Sequence, residues 1–493
     1  MRVQADVLAR LEWGRVLEII ADKARTPMGT VSARALHPAG DPEEVRRRQA
    51  RVAEMRRALA EGGRLPIAAV EDPAGALSEL QIERKTLQAR DIYETVRLLV
   101  VARELVGRLR QLDPEGYPVL GGEWARFPDM RGVIDAIHGN LTASGHVEDQ
   151  ASPELARIRR EIRHLSERLT ETLEGLFRAD WTGPVLRDKY ITVRNQRYVV
   201  PVRTDSPRRF HGIVHGTSAS EKTLFVEPIE TVEINNQLVG LMDEEEQEIE
   251  RILSGYTEML RAYREEVAVT ARVLGELDLL EAVATWADGE SACTPELVDD
   301  GGLRLVGARH PGLERSLAQE TPPKQLVPLD VDFPRELRVL VISGPNAGGK
   351  TVALKTVGLL TLMVHAGLPA PAERAQVPFF GMLLADIGDE QSIEGGLSTF
   401  SSHVQNLAGM IREVRSPGLA LIDEIGTGTD PAEGAALGSA ILDRLLQDGA
   451  HVVATTHHQA IKTWAYRTER ALNAACEFDE QTLRPTYRLV PGV

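Results

Sequence analysis

The sequence has little of what marks secreted, membrane-bound and zinc-binding proteins. Only two of its 493 residues are cysteines, Cys293 and Cys476, so neither a disulfide framework nor a cysteine-based zinc site is expected. It contains no uninterrupted apolar stretch of about twenty residues, the length that a membrane-spanning helix needs. The first residues also lack the apolar run of a signal peptide. We therefore expect a cytoplasmic protein with no membrane partner.

An excess of positive charge is lacking as well. The chain has 57 lysines and arginines against 73 aspartates and glutamates, which gives a net charge of −16. This balance argues against a generally basic nucleic-acid coat, so any binding of DNA or RNA must be local. The length suggests about three domains, and 43% apolar residues are enough for sizeable cores.

The clearest motif that is present is a phosphate-binding loop. The apolar segment 338–342 precedes Gly-Pro-Asn-Ala-Gly-Gly-Lys-Thr at 344–351, and the helix-like segment 352–360 follows it. A G-x-x-x-x-G-K-T motif needs this context, because its backbone amides surround a phosphate chain and the next helix adds the positive end of its dipole. The predicted ATP-binding residues are Gly344, Pro345, Asn346, Ala347, Gly348, Gly349, Lys350 and Thr351. Lys350 is expected to reach the β and γ phosphates, and the Thr351 hydroxyl to ligate Mg²⁺.

A second apolar segment, 419–422, ends in two carboxylates, Asp423 and Glu424. In a nucleotide hydrolase such a strand brings its last residues to the sheet edge beside the phosphate loop. Asp423 is then expected to hold the Mg²⁺ shell, and Glu424 to orient or deprotonate the attacking water.

A third apolar segment, 452–456, ends in His457 and His458. A neutral imidazole offers both a donor and an acceptor, so a histidine at this place can sense the γ phosphate. Adjacent residues of a strand point in opposite directions, and only one of the two can do so. We predict His457 as the sensor and His458 as a solvated loop residue.

Positive charge is concentrated between residues 187 and 209. Two acidic residues stand there against seven basic ones: Arg187, Lys189, Arg194, Arg197, Arg203, Arg208 and Arg209. Two short alternating segments flank Asn195-Gln196, which predicts a β-hairpin. Long helical patterns at 153–178 and 232–273 lie on either side.

Two interpretations of this basic segment remain open. A basic tip on long helical arms can follow a phosphate backbone without reading sequence, and Lys189, Arg203, Arg208 and Arg209 are the candidate nucleic-acid contacts. Alternatively, the arginines only make a helical hairpin soluble.

Four segments together resemble the MutS family of ABC-type ATPases, and in particular its second bacterial paralogue. They are the phosphate loop at 344–351, Ser-Thr-Phe-Ser-Ser-His at 398–403, Asp-Glu-Ile-Gly-Thr-Gly-Thr-Asp-Pro-Ala-Glu-Gly at 423–434, and Thr-Thr-His at 455–457. The resemblance implies that Ser398 approaches the γ phosphate bound by a partner subunit. It therefore implies a homodimer with paired ATP sites.

The resemblance, with the helical patterns, predicts the fold class and its division. We expect an α/β P-loop ABC-type ATPase domain at 291–493, preceded by a mainly α-helical core and lever region. The core would span 1–150, and long lever helices at 151–290 would carry a small β clamp around 187–230. The family's second paralogue continues beyond this point into an Smr nuclease domain, so no nuclease activity is expected of this chain.

The implied function is that of a dimeric Mg²⁺-dependent ATPase that clamps nucleic-acid structures. The resembled paralogue is associated with branched DNA and the suppression of homologous recombination, and with splitting of collided ribosomes, so DNA and the ribosome or its RNA are the expected partners. One alternative is a mismatch-sensing MutS, but no Phe-x-Glu wedge precedes Leu11. Another is a DNA-bridging protein of the SMC or Rad50 type, which the clustering of all motifs between Gly344 and His457 disfavours.

Overall fold

The computed structural model describes residues 1–179, 182, 185–205, 210–219, 221–299, 301–323, 325–344, 349–388, 399–479 and 484–492. Seven predicted site residues lie outside this part of the chain: Pro345, Asn346, Ala347, Gly348, Ser398, Arg208 and Arg209. The chain divides into two compact units. The larger contains residues 1–69, 104–127 and 271–493, and the smaller contains 70–103 and 128–270. These boundaries differ from the predicted ones, and the three-domain assignment stays a prediction.

The described strands, in chain order, are β1 (Arg2–Val3), β2 (Thr192–Arg194), β3 (Arg197–Arg203), β4 (Gly212–Thr217), β5 (Thr223–Pro228), β6 (Glu296–Val298), β7 (Leu303–Ala308), β8 (Leu329–Phe333), β9 (Val339–Ser343), β10 (Arg374–Pro378), β11 (Met382–Asp386), β12 (Gly418–Ile422), β13 (His451–Thr456), β14 (Ala471–Asp479) and β15 (Arg484–Pro491).

The described helices are α1 (Ala5–Arg10), α2 (Trp13–Ala21), α3 (Pro27–Arg34), α4 (Pro42–Gly62), α5 (Ala74–Glu79), α6 (Ala89–Leu109), α7 (Arg131–Ile137), α8 (Pro153–Arg178), α9 (Val232–Ala262), α10 (Arg264–Gly289), α11 (Pro311–Ala318), α12 (Lys350–His365), α13 (Thr399–Glu413), α14 (Pro431–Gln447) and α15 (Gln459–Arg467). The mixture of helices and sheets confirms the α/β class. None of the described helices is long and apolar enough to cross a membrane.

The larger unit is built on a seven-stranded sheet with the order β1-β11-β12-β13-β9-β14-β15. Neighbouring strands from β1 to β14 are parallel, and β15 is antiparallel to β14. The central strands are mostly apolar and are buried along their whole length, as expected when helices cover both faces of a parallel sheet. Because these strands are parallel, β9, β11, β12 and β13 all end at the same edge, and the residues that follow them meet there.

The N-terminal residues form part of this larger unit. The edge strand β1 pairs with β11 through Arg2 opposite Met382, within the region that was predicted to be mainly helical. In α12, an added Cβ at Gly358 would lie 2.5 Å from Leu421 Cδ1 and 2.8 Å from Leu11 Cδ2. The helix after the phosphate loop therefore fits closely against both the sheet and the start of the chain.

A second sheet in the larger unit has the order β6-β10-β7-β8. Strand β10 is parallel to β6 and antiparallel to β7, which is in turn antiparallel to β8. Its strand β8 leads by a short connection into β9, and so into the phosphate loop.

The smaller unit combines long helices with a small antiparallel sheet. The sheet order is β2-β3-β5-β4, and the predicted hairpin at Asn195-Gln196 is confirmed, with both residues at positive φ. Helices α8 and α9 run antiparallel, since Arg157 pairs with Glu244 and Ser152 with Glu248. The sheet packs on these helices through a buried cluster that includes Leu169, Leu173, Val200, Val226 and Leu238. The pattern predicted for 232–273 is interrupted, because α9 ends at Ala262 and α10 begins at Arg264.

Two histidines of the larger unit are held neutral in the core. The His365 ring is fully buried at the end of α12, where Nδ1 donates to the Thr361 carbonyl (2.8 Å) and Nε2 accepts from the Phe380 amide (2.9 Å). Burial lowers the pKa of His365 to about 4. Burial, with Arg338 and Arg470 nearby, also lowers the pKa of His451 to about 4.

These histidines make the larger unit sensitive to acid. An unfolded histidine binds its proton near pH 6.5, whereas His365 in the folded unit resists protonation, so stability is complete above that pH and falls as the pH approaches 4. We expect His365 alone to cost about 2 kcal/mol of unfolding free energy between pH 7 and pH 5. Urea titrations across this range should show a flatter pH slope for His365→Gln, because the amide gains no proton. The control is His37→Gln at an exposed histidine, which should keep the pH slope of the parent. Equal pH slopes in the two variants would contradict the assignment.

Candidate nucleotide-binding site

Two glycines shape the described ends of the phosphate loop. Gly344 follows β9 with φ of 144°, and an added Cβ there would lie 3.1 Å from the Cys476 Cβ. Gly349 has φ of 85° and is the N-cap of α12. A side chain is disfavoured at both positions, since L-residues rarely adopt such φ values. The backbone conformations at the two described ends of the loop therefore agree with the phosphate-loop motif.

Lys350 is the first residue of α12, and its side chain turns back toward the start of the loop. Its ammonium donates to the Gly344 carbonyl at 2.7 Å, and the residue is only 3% exposed. A buried ammonium and a helix N-terminus at one place both favour a bound anion. This is the position at which the γ and β phosphates are expected.

The carboxylate of Asp423 lies at the carboxyl edge of the sheet, directly after β12. Its Oδ2 accepts from the Thr351 hydroxyl at 2.8 Å, and its Oδ1 accepts from the Thr455 hydroxyl at 2.5 Å. The residues predicted to hold Mg²⁺, Thr351 and Asp423, are therefore in direct contact although they are 72 residues apart.

These oxygen atoms fit a magnesium ion. Mg²⁺ prefers hard oxygen ligands and commonly takes one or two from the protein, with water and substrate phosphates filling its octahedron. The described residues contain no cluster of three or more His, Cys, Asp or Glu side chains that could hold a metal alone. The Thr351 hydroxyl and the Asp423 carboxylate therefore suit a magnesium site to which both the protein and the bound phosphates supply oxygen ligands.

Glu424 has an unusual backbone conformation. Its φ of 49° places a non-glycine residue in the left-handed region, which costs on the order of 1 kcal/mol or more. The Glu424 amide donates to Thr455 Oγ1 at 2.8 Å, and the next amide, of Ile425, donates to the Thr455 carbonyl at 2.9 Å. The loop then turns through Gly426, and Asp430 caps α14.

The two histidines after β13 differ in exposure. His457 is exposed overall, although part of it is covered by the protein. This partial burial lowers the pKa of His457, the neighbouring His458 and Lys350 lower it further, and Glu424 acts to raise it. His457 directly follows β13, so it lies at the same edge of the sheet as Asp423 and Glu424. His458 is buried, with its amide donating to Thr456 Oγ1 at 3.1 Å. The prediction of a solvated His458 is wrong, because the chain turns inward after Thr456 and the ring approaches Gly426.

Sequence reasoning missed a further carboxylate at this edge, Asp386 at the end of β11. Its carbonyl accepts from the Asp423 amide at 2.8 Å. Its buried side chain accepts from Arg10 (3.3 Å) and Asn406 (2.9 Å) and pairs with His403. The available signal was an acidic residue that ends an apolar run, as at Asp423. Through these contacts Asp386 links α1 and α13 to Asp423, the residue that follows β12.

A narrow cleft adjoins Gly349. It is lined by Leu326, Val327 and Leu329 from the segment before β9 and by Val352 of α12, with His310 at its side. The sequence had given no candidates for contacts to a nucleotide base. The cleft beside Gly349 has room for about one water molecule, so no base contacts are assigned to it.

The structure therefore brings seven predicted residues to one edge of the sheet: Gly344, Gly349, Lys350, Thr351, Asp423, Glu424 and His457. Their catalytic and binding roles stay predictions, as do those of the five nucleotide-site residues that lie outside the described chain: Pro345, Asn346, Ala347, Gly348 and Ser398.

The basic segment of the smaller unit uses much of its charge internally. Lys189 donates to the Phe177 carbonyl at 2.7 Å, and Arg203 pairs with Asp205 at 3.0 Å. Arg197 pairs with the fully buried Glu227 at 2.8 Å, and Arg194 lies over the Phe225 ring. Arg203 remains exposed and could still contact a phosphate.

The comparisons with known proteins agree with the family resemblance seen in the sequence. Residues 340–493 match the family described as MutS domain V. The chain is 38% identical over 494 residues to a putative endonuclease MutS2 of Bacillus subtilis (strain 168), an alignment that covers 100% of this chain and 62% of that protein. It is 39% identical over 491 residues to endonuclease MutS2 of Halalkalibacterium halodurans, covering 99% of this chain and 61% of that protein. The chain thus spans about three-fifths of the length of these relatives.

The Asp386 cluster predicts a local effect on stability. Replacing Asp386 with Ala leaves Arg10 and His403 without their buried carboxylate, and we expect the unfolding free energy of the larger unit to fall by about 3 kcal/mol. Asp6→Ala removes an exposed partner of the same Arg10, 3.9 Å away, and should cost less than about 1 kcal/mol. Urea unfolding of the two variants makes the comparison. Equal losses would show that the buried cluster has no special role.

Proposed function

Because this chain belongs to the MutS family of ABC-type ATPases and is similar to MutS2 proteins along its whole length, we propose that it is a dimeric Mg²⁺-dependent ATP hydrolase that clamps nucleic-acid structures. The observation that supports the hydrolase most is the contact of Thr351 with Asp423, beside the buried Lys350. Two separate segments of the chain supply these three groups, Lys350 with Thr351 at the start of α12 and Asp423 after β12, and each side chain is one that phosphate transfer needs.

In this mechanism the chain mainly binds and orients. The Lys350 ammonium and the amides at the start of α12 stabilise the phosphate charge. Thr351 and Asp423 would hold Mg²⁺, which when bound neutralises charge on the β and γ phosphates. The Glu424 carboxylate orients the attacking water and accepts its proton. His457, whose pKa is lowered, is neutral at pH 7 and can donate one hydrogen bond to the γ phosphate.

We propose that hydrolysis requires two copies of the chain. The family resemblance assigns Ser398 to the site of the partner subunit, and Ser398 directly precedes α13. That helix carries His403 and Asn406, which contact Asp386 and so adjoin the Asp423 strand of their own subunit. A signal from the partner's nucleotide could reach the metal site by this route.

The proposed polymer is DNA, in branched or duplex form, or the ribosome with its RNA. Suppression of recombination and splitting of collided ribosomes are the two roles that the resemblance suggests. Both polymers present phosphate arrays, so the exposed Arg203 would serve either one. The endonuclease activity in the names of the relatives is not part of the proposal.

The hydrolase proposal predicts distinct effects for two substitutions. Glu424→Gln should keep ATP binding and slow steady-state hydrolysis about a hundredfold or more, since general-base assistance is typically worth that much. Lys350→Ala should weaken equilibrium binding of ATP itself. Glu336→Gln, at an exposed residue between β8 and β9 and outside the motif segments, is the control and should hydrolyse ATP at the parental rate. Parental turnover in Glu424→Gln would show that another group orients the water.

The clamp proposal is tested at Arg203, Arg208 and Arg209. Changing all three to Ala should weaken binding to four-way DNA junctions or to ribosomes, and on duplex DNA each lost phosphate contact should reduce the log–log salt slope by about 0.9. Arg131→Ala is a matched control, because Arg131 is exposed and pairs with an aspartate two residues away, as Arg203 does. An unchanged affinity and slope in the triple variant would leave these arginines as solubilising residues. If the triple variant loses more affinity for one target than for the other, four-way DNA junctions or ribosomes, that target is identified as the polymer that the clamp binds.

A further inference from the structure

Thr455 contacts both acidic residues of the proposed active site. It lies on β13 next to β12, its side chain is fully buried, and Ala454 pairs with Ile422 just before it. The Thr455 hydroxyl is 2.5 Å from Asp423 Oδ1 and 2.8 Å from the Glu424 amide nitrogen. Its own carbonyl accepts from the Ile425 amide. One residue therefore holds three consecutive positions of the neighbouring loop.

The direction of these hydrogen bonds follows from their chemistry. A backbone amide can only donate, so the Thr455 oxygen must accept from Glu424. The single hydroxyl proton is then directed to Asp423 Oδ1. With Oδ1 held in this way, the other oxygen of Asp423, Oδ2, faces the Thr351 hydroxyl. Thr455 thus sets which carboxylate oxygen is available at the predicted metal site.

The same hydroxyl supports the conformation of Glu424. A left-handed non-glycine residue persists only where its surroundings restrain it. The restraints on Glu424 include the bond from its amide to Thr455 Oγ1 and the bond from the next amide to the Thr455 carbonyl. This conformation determines the direction in which the Glu424 side chain leaves the strand.

We propose that Thr455 is a positioning residue for hydrolysis, which orients the metal-site oxygen of Asp423 and the backbone of Glu424 through one hydroxyl group. The inference rests on the proposed ATPase function. Neither the phosphate loop nor the paired carboxylates identify this residue in the sequence, where it is one of two adjacent threonines. Its neighbour Thr456 instead bonds to the carbonyl of Ile425 and the amide of His458.

Two substitutions separate positioning from packing. Thr455→Val keeps the shape of the side chain and loses the hydroxyl, whereas Thr455→Ser keeps the hydroxyl and loses a methyl group. If the hydroxyl positions the carboxylates, Val should lower kcat about 10- to 100-fold, as is usual for groups that orient metal ligands, and Ser should stay near the parent. KM for ATP should change less than kcat, because Lys350 and the loop remain. A residue that only packs gives the opposite order, with Val active and Ser impaired.

A second measurement does not depend on turnover. Mn²⁺, as a probe for Mg²⁺, can be titrated by its paramagnetic signal in the presence of a non-hydrolysable ATP analogue. Thr455→Val should bind Mn²⁺ about 10-fold or more weakly, and Thr455→Ser should bind it like the parent. Thr361→Val is the control, because Thr361 is also fully buried but its hydroxyl donates within α12, to the Val357 carbonyl. It should keep parental Mn²⁺ binding and turnover.

The outcomes distinguish this inference from the proposed function. If the parent hydrolyses ATP and Val equals it in kcat and Mn²⁺ binding, the positioning role is overturned while the ATPase assignment stands. If the parent neither binds Mn²⁺ with the analogue nor hydrolyses ATP, the proposed function itself fails. Thermal unfolding checks that each variant is folded. Should Val not fold, Thr455→Ala against Thr455→Ser repeats the comparison with and without the hydroxyl, and equal activities would again overturn the inference.

Discussion

The parallel pairing of β12 with β13 sets Ile422 opposite Ala454, and this register decides where the polar residues after both strands meet. Asp423 arrives beside Thr455, and the Glu424 amide reaches the same hydroxyl. A shift of one residue would turn every side chain of a strand to the other face of the sheet. Because both strands are buried along their whole length, such a shift is costly, and the packing of the core therefore fixes the hydrogen bonds at the edge.

The start of the chain belongs to the same physical unit as the phosphate loop. Strand β1 extends the large sheet, and Lys355 on α12 pairs with Glu12 at 3.0 Å. Leu11 lies so close to Gly358 that no side chain fits between them. Any movement of α12 along its axis would therefore meet the N-terminal helices.

In the smaller unit, the number of basic residues in the sequence overstates the positive charge that is available to bind a polymer. A local excess of arginine in an acidic chain suggests a phosphate-binding surface, and the hairpin that carries it is formed as expected. Several of these cations nevertheless hold the unit together, since Arg197 neutralises the buried Glu227 and Lys189 bonds to a carbonyl. Positive charge near a polymer then comes from fewer residues than the sequence suggests, and Arg203 is one of the described basic residues that stay exposed.

By itself the sequence determined the α/β class, the strand–loop–helix unit around Lys350, the acidic pair at Asp423 and Glu424, and the hairpin at Asn195-Gln196. Each depends on local rules, in which glycine positions, short apolar runs and turn residues act within a few residues of one another. Only the tertiary structure decided that Thr455 and Asp386 support these carboxylates, that His458 is buried, and that Arg2–Val3 is an edge strand. Those features arise from pairing between segments that are tens to hundreds of residues apart, and a hydroxyl or a carboxylate at a strand end looks the same in sequence whatever strand lies beside it.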